Sequence, residues 1–374
     1  MKEEIARETR FWNVRLRSMH AYQPGEQPKF SPQTLKLNTN ENPYPPSPKA
    51  IRAMRQAIGA DLRLYPPADW QSLRQAIGEE YDVSPAQVFC GNGSDEVLSL
   101  IFRSFMNEGD LLVLAYPTYS LYPVLAEANG CRTAWVDTRE DFSIDPDAML
   151  AEARTGEARM AIIANPNAPT GMLLDKKQIR EFAERFNGLV VVDEAYIDFA
   201  GEGASCFSEL GALDNLIILR TFSKSFSLCG IRVGYAFAAP ILVEGLMAMK
   251  DSYNIDRAAQ IGAEAAIRDI AWMRKNAARI CKTRAKFTQA LCARGFETLP
   301  SAGNFVFTRH PKISAAELQS RLQQEEIYVR HFEARRVSEY LRISIGTDKD
   351  MTRLTGALDR ALNGSAPEHS RGRA

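Results

Sequence analysis

The sequence predicts an α/β protein: a mostly parallel sheet covered by helices on both faces, joined to a smaller αβ domain. Three observations carry this. Between about residues 50 and 240, helical patterns alternate with short β-branched runs at 111–115, 160–164, 189–192 and 216–219, the signature of buried parallel strands with helical crossovers. Beyond Pro240 a helical stretch at about 258–293 leads into a second αβ section. At 374 residues, 45% hydrophobic and 25% charged, the chain has the size and composition of a globular protein with more than one core.

In chain order, residues 1–48 carry little apolar periodicity and end in Asn40-Glu41-Asn42-Pro43-Tyr44-Pro45-Pro46-Ser47-Pro48. Proline-rich backbone has few internal hydrogen bonds to close on itself, so this is expected to be an ordered arm lying on another surface. Residues 49–270 form the expected large domain and 271–363 the small one, to which the arm contributes. The boundary falls within the long helical stretch. Strands are expected near 304–308, 327–330 and 340–345, and a last helix at about 349–363. The polar residues 364–374 are expected to be disordered, and no internal repeat is present.

Several function classes are disfavoured by composition. Lys plus Arg equals Asp plus Glu at 46 each, so there is no basic surplus for nucleic acid or anionic lipid, and the expected partners are small molecules. The longest apolar runs fall far short of the roughly 20 residues that cross a bilayer, and the start lacks the form of a secretory signal. Cysteines at 90, 131, 206, 229, 281 and 292 make no C-x-x-C pair, and the four histidines make no H-x-x-x-H. Neither a metal site nor a disulfide framework is expected, and a reducing cytoplasm fits best.

Three segments carry chemistry. Gly91-Asn92-Gly93-Ser94-Asp95-Glu96 precedes a helical apolar pattern; Ser94 is a natural N-cap, and the first-turn N–H groups suit a phosphate. The plainer alternative is a capped turn. Val190-Val191-Val192-Asp193 places a carboxylate at the carboxyl end of a buried strand, where ligands of open sheets collect. It needs a cationic partner there, and a protonated pyridine nitrogen would serve. Leu219-Arg220-Thr221-Phe222-Ser223-Lys224 follows another apolar strand, setting a lysine among hydroxyls and aromatics that favour imine exchange. Eight residues on, Arg232 offers a planar fork for a phosphate dianion. Singly, each could be a surface charge; together Lys224, Asp193 and Arg232 are the parts of a pyridoxal-phosphate site.

The order Asn-Pro-x-x-Pro-Thr-Gly (165–171), Asp-x-x-Tyr (193–196), Ser-Lys (223–224) and Arg232 resembles the fold-type I pyridoxal-phosphate aminotransferases. Among them the chain, from about 20 to 362, is most similar to the histidinol-phosphate aminotransferase family. The arm segment 37–44, Tyr116-Pro117-Thr118-Tyr119-Ser120-Leu121-Tyr122 and Leu341-Arg342-Ile343-Ser344-Ile345-Gly346-Thr347 also match. The resemblance implies pyridoxal 5'-phosphate as cofactor, held by Lys224 as a Schiff base, with Lys224 then shuttling a proton. It implies that Asp193 keeps the ring nitrogen protonated, that Tyr196 bonds the phenolate oxygen and that Tyr119 stacks on the ring. Gly93, Ser94, Ser223 and Arg232 would bind the phosphate. Tyr65, in Leu64-Tyr65-Pro66, would reach the neighbouring subunit's phosphate, which implies a homodimer.

Two departures from the family pattern stand out. Ala168 occupies the place of an asparagine that usually touches the phenolate oxygen, leaving Asn167 to reach instead or Tyr196 to act alone. Lys250-Asp251-Ser252-Tyr253-Asn254-Ile255-Asp256 lacks the usual proline before Tyr253 and has Asp256 in place of an asparagine. For substrate, Arg330 and Arg342 end separate expected strands and could alternately hold a phosphate or carboxylate tail; exposed strand-end charges are the alternative. Tyr22 and Asn304 are further candidate contacts. The implied reaction moves the amino group of L-histidinol phosphate to 2-oxoglutarate in histidine biosynthesis. An aromatic aminotransferase and a threonine-phosphate decarboxylase share the scaffold, and a non-catalytic sensor is disfavoured because no basic helix-turn-helix segment precedes the arm.

Overall fold

The computed structural model describes residues 10–22, 25–29 and 31–364. The described part of the arm carries the short helix α1 (Val14–Ser18) and strand β1 (Leu35–Leu37) and meets helix α2 (Pro48–Ala57), which Ser47 caps. Helix α3 (Gln71–Tyr81) and strand β2 (Val88–Gly91) lead to α4 (Gly93–Phe105). There follow β3 (Leu111–Tyr116), α5 (Leu121–Ala128), β4 (Arg132–Asp137), α6 (Pro146–Thr155), β5 (Met160–Ala164), α7 (Lys176–Arg185), β6 (Leu189–Asp193), β7 (Leu216–Thr221) and β8 (Gly234–Ala238). Helices α8 (Pro240–Met249), α9 (Arg257–Ile267) and α10 (Ile270–Cys292) then precede β9 (Glu297–Thr298), β10 (Phe305–Arg309), α11 (Ala315–Gln324), β11 (Ile327–His331), β12 (Leu341–Ser344) and α12 (Asp348–Asn363).

Seven strands form the large sheet in the order β2-β8-β7-β6-β5-β3-β4. All pair in parallel except β8, which is antiparallel to both of its neighbours. Strands β5 and β7 are buried along their whole length, as expected of strands covered by helices on both faces. The four expected strands are present, each at or within two residues of its expected end. Strands β2, β4 and β8 were not anticipated: β2 and β8 are short and Gly-containing, and β4, at the sheet edge, interleaves exposed and half-buried residues.

The second sheet has the order β1-β11-β12-β10-β9. The arm completes it, with Leu35, Lys36 and Leu37 running parallel to Ile327, Tyr328 and Val329. The expected long helix at 258–293 is two helices, α9 and α10. Asp269 lies between them, its carboxylate accepting from Ser47 Oγ at 2.6 Å and Lys49 Nζ at 2.7 Å. Those bonds tie the break to the start of α2, a tertiary contact that periodicity does not reveal. Helix α12 opens on a reciprocal capping box between Thr347 and Asp350, which fixes its start. Of the expected disordered tail, residues 365–374 lie outside the described residues, as do residues 1–9 of the arm.

Candidate active site

Strands β3, β5, β6 and β7 end at Tyr116, Ala164, Asp193 and Thr221, and all four residues line one cavity of about 460 Å3. It therefore sits at the carboxyl edge of the parallel strands, as ligand sites of open sheets do. The arm supplies Tyr22, Asn38 and Thr39 to its walls, and the second sheet supplies Arg330 and Arg342.

Lys224 lies in the loop after β7, half-buried, with Nζ donating to the Thr39 carbonyl at 3.2 Å and standing 5.6 Å from the centre of the Tyr196 ring. Asn42 clamps this loop from the arm, donating through Nδ2 to the carbonyls of Lys224 and Ser225 at 3.0 and 3.1 Å. A backbone carbonyl is a weak partner for an ammonium group, so Nζ is held at the cavity wall with no neutralising carboxylate in hydrogen-bond reach among the described residues.

Asp193 is buried. Its Oδ2 accepts from Tyr122 Oη at 2.7 Å and its Oδ1 from the Ala195 N–H at 3.1 Å. Burial pushes its carboxyl up to about 6, opposed by these two hydrogen bonds and aided by the nearby charges of Asp95 and Glu194. The adjacent Glu194 faces another way: its side chain is enclosed with that of Arg220, Nη2 to Oε2 at 2.8 Å, and also accepts from Ser205 and the Cys206 N–H. One of two consecutive carboxylates is thus paired inside the fold, and the other meets the cavity without a cation bonded to it.

The opposite wall is built for an anion. A Cβ on Gly93, whose φ is +80°, would stand 2.5 Å from Arg232 Nη2, and one on Gly234 would stand 2.3 Å from the Ser94 nitrogen. Only glycines allow this approach of α4, β8 and Arg232. Arg232 itself has a left-handed backbone, φ +53°, and its guanidinium reaches Asp95 at 3.1 Å and Ser223 Oγ at 3.5 Å. Ser94 lines the cavity but is not the N-cap that was expected. Helix α4 begins two residues earlier than that, behind Asn92, whose N–H goes to the Glu96 carboxylate, so Ser94 sits inside the first turn.

Tyr119 lines the cavity between two other tyrosines, edge-on to Tyr122 at 5.5 Å and to Tyr22 at 5.9 Å. Tyr196 Oη accepts from Asn40 Nδ2 at 3.0 Å. Arg330 and Arg342 are direct cross-strand partners on β11 and β12, and both guanidinium groups lie over Phe332, at 5.2 and 5.4 Å. Arg342 Nη2 donates to the Asn38 carbonyl at 3.0 Å, while its buried Nε has no partner among the described residues; nor do Asn38 Oδ1 and Thr39 Oγ1. Burial and the charge of Arg330 both weaken the hold of Arg342 on its proton.

Four expected site residues do not line the cavity: Gly93, which stands beside the lining residues Ser94 and Arg232, and Asn167, Asn304 and Tyr65. Asn167 is buried and spends its amide on Pro117, Thr118 and Thr170; the cavity wall at this point is Ala168 and Pro169. Asn304 donates to the Asn40 carbonyl at 2.9 Å, so its reach is to the arm. Tyr65 is well exposed, stacked on Tyr253 at 4.3 Å, beside a second cavity of about 440 Å3 that Arg257 also lines.

The family model of class I and II aminotransferases matches residues 32–358. The chain belongs to this aminotransferase family. It is 42% identical to the histidinol-phosphate aminotransferase of Acetobacter pasteurianus over 94% of this chain and 97% of that one. To that of Pseudomonas putida strain W619 it is 43% identical, over 94% and 99%. Among solved structures, the histidinol-phosphate aminotransferase of Sinorhizobium meliloti in complex with pyridoxal-5'-phosphate superposes with a TM-score of 0.83. That match has 27% identity and covers 88% of this chain and 91% of that one.

Pyridoxal phosphate, the cofactor of such aminotransferases, fits the residues present. A buried carboxylate lacking a cation suits a protonated ring nitrogen, the glycine-walled cradle at Ser94 and Arg232 suits a phosphate, and a lysine amine stands at the same wall. Sequence reasoning gave no role to Tyr122, Asn40 or Asn42 of this aminotransferase. Tyr122 was visible as the last tyrosine of the segment Tyr116–Tyr122, but Tyr119 precedes α5, so no helical spacing pointed from one to the other. The asparagines of the arm were visible as polar residues alternating through 38–42, but Tyr196, Lys224 and Ser225, which Asn40 and Asn42 bond, lie 156 to 183 residues away.

Proposed function

We propose that the protein transfers the amino group of L-histidinol phosphate to 2-oxoglutarate with pyridoxal 5'-phosphate, giving glutamate, in histidine biosynthesis. The observation that carries this is the Arg330–Arg342 pair. Like charges set directly opposite on adjacent strands repel, and an arrangement that keeps them together at a cavity wall, with the buried Nε of Arg342 unpaired among the described residues, calls for an anionic ligand. A phosphate tail in one half-reaction and a carboxylate in the other meet the same two forks, and the 42–43% identity to named histidinol-phosphate aminotransferases over nearly the whole chain supports the choice of donor.

When bound, pyridoxal phosphate supplies a carbonyl carbon that accepts the amino group and a ring that takes up the electron pair left at the donor's Cα. The chain's own residues do the rest. Arg232, Ser223 and the Gly93-Ser94 turn bind the phosphate. Asp193 holds the proton on the ring nitrogen, Tyr196 hydrogen-bonds the phenolate oxygen and Tyr119 covers one ring face. Lys224 anchors the cofactor and then moves the proton from Cα through Nζ. Arg330 and Arg342 orient the substrate tail, with Tyr22 at the entrance.

We place Tyr65 at the neighbouring subunit's phosphate in a homodimer. Its exposure, and the exposed Ile58, Leu62 and Leu64 around it, support a face that receives a second copy. The six unpaired cysteines support a reducing cytoplasm. The test of function is a panel of amino donors with 2-oxoglutarate as acceptor. Histidinol phosphate should show the highest kcat/KM; a higher value for phenylalanine or tyrosine would assign the protein as an aromatic aminotransferase.

A further inference from the structure

Tyr122 is fully buried on α5 and presents its hydroxyl to the cavity-facing carboxylate of β6, 71 residues away in sequence. A buried phenol needs a partner, but several backbone carbonyls would serve; here it is given to the one carboxylate that meets the cavity without a cation. The bond has a direction. Burial pushes the Tyr122 phenol well above its ordinary range, first through desolvation and then through the Asp193 charge beside it, so wherever Asp193 is ionised Tyr122 is the donor and Asp193 the acceptor. With the Ala195 N–H on Oδ1, each carboxylate oxygen has one fixed donor, which sets the plane of the carboxylate and leaves a lone pair for the cavity. The Tyr122 ring also meets the edge of Tyr119, so one residue supports two cavity walls.

We propose that Tyr122 is a positioning residue: its hydroxyl orients the Asp193 carboxylate and keeps it ionised, so that the cofactor's ring nitrogen, not Asp193, retains the proton. This rests on the proposed cofactor role of Asp193 and goes beyond it by naming the group that controls that carboxylate's basicity. A hydrogen bond to the charged form makes a carboxylate less basic. Without it, Asp193 competes for the ring proton and the electron sink weakens. The other titratable groups around Asp193 are Asp95, Glu194, Tyr119, Tyr196, Lys224 and Arg232. Asp95 is bonded to Arg232 and Glu194 to Arg220, so neither replaces the Tyr122 bond.

The test is Tyr122→Phe, which keeps the ring and its contact with Tyr119, made in wild type and in an Asp193→Asn background. Urea unfolding of the apoproteins from pH 4 to 8 reads the Asp193 titration with neither cofactor nor substrate. In Tyr122→Phe the midpoint of the pH-dependent stability change carried by Asp193 should move up by about one unit, the size of one hydrogen bond to a charged group. In the loaded enzyme kcat should fall by at least about fivefold, with KM changed less than about twofold. In the Asp193→Asn background the same substitution should change kcat by less than about twofold, because coupled residues lose their effect together. An unmoved midpoint, or an equal loss of kcat in both backgrounds, would overturn the assignment. A donor panel without transamination would overturn the functional reading instead, and would leave the apoprotein midpoint intact.

Discussion

Arg330 and Arg342 face each other as register partners across the antiparallel pair β11–β12, and the ring of Phe332 lies under both guanidinium groups. Two buried or half-buried cations in direct opposition raise the free energy of the empty site. An anion bound between them removes that repulsion. Arg330→Ala is therefore expected to lower kcat/KM for histidinol phosphate by roughly 10- to 150-fold, the loss of a charge-assisted contact of about 1.5 to 3 kcal/mol. Unphosphorylated histidinol should change little. Steady-state kinetics with both donors checks this, and an equal loss for the two would show that Arg330 acts on the fold and not on the phosphate.

The pH dependence of the apoprotein follows from Asp193. Its carboxyl is raised from 3.8 to about 6 in the fold, so between these values the native state holds a proton that the unfolded chain has released. Stability contributed by that proton is present below about pH 4 and lost as the pH rises through about 6, amounting to about 3 kcal/mol. Subtracting the urea-unfolding profile of apo Asp193→Asn from that of wild type isolates it. A difference that stays flat from pH 4 to 7 would show that Asp193 is not desolvated in the empty site. Adding pyridoxal phosphate should offset the loss near pH 7, where a ring cation pairs with the ionised carboxylate.

The placement of most candidate-site residues around one cavity was legible because strand ends and short-range motifs fix where they stand. Asp193 and Lys224 each follow an apolar run that could only be a buried strand, and the carboxyl ends of such strands converge. What was not legible came from contacts between distant segments. Asn304 was expected at the substrate, and its side chain holds the Asn40 carbonyl, because the arm beyond β1 crosses to this part of the sheet, where the Asn40 N–H also meets Ser344 Oγ. Asn167 was left open as a stand-in for the asparagine missing at 168. The turn 165–171 instead folds its amide inward onto Pro117 and Thr170. The break between α9 and α10 depends on Ser47 and Lys49, more than two hundred residues earlier.

Tyr65 stacks on Tyr253 at the edge of a second cavity and away from Lys224 of its own chain. If it serves the neighbouring subunit, Tyr65→Phe should raise the cofactor's Kd about 2- to 12-fold, the range for one hydrogen bond of about 0.5 to 1.5 kcal/mol. Fluorescence titration gives the Kd and sedimentation velocity the assembly state. An unchanged Kd, or a monomer in wild type, would remove the shared site.

In the proposed function Lys224 carries the cofactor. Borohydride treatment of the holoenzyme followed by peptide mass mapping tests it most directly. The reduced cofactor should be found on the peptide containing Lys224 and on no other lysine, and Lys224→Ala should yield no reducible adduct. A reduced cofactor on a different lysine, or one that persists in Lys224→Ala, would contradict it.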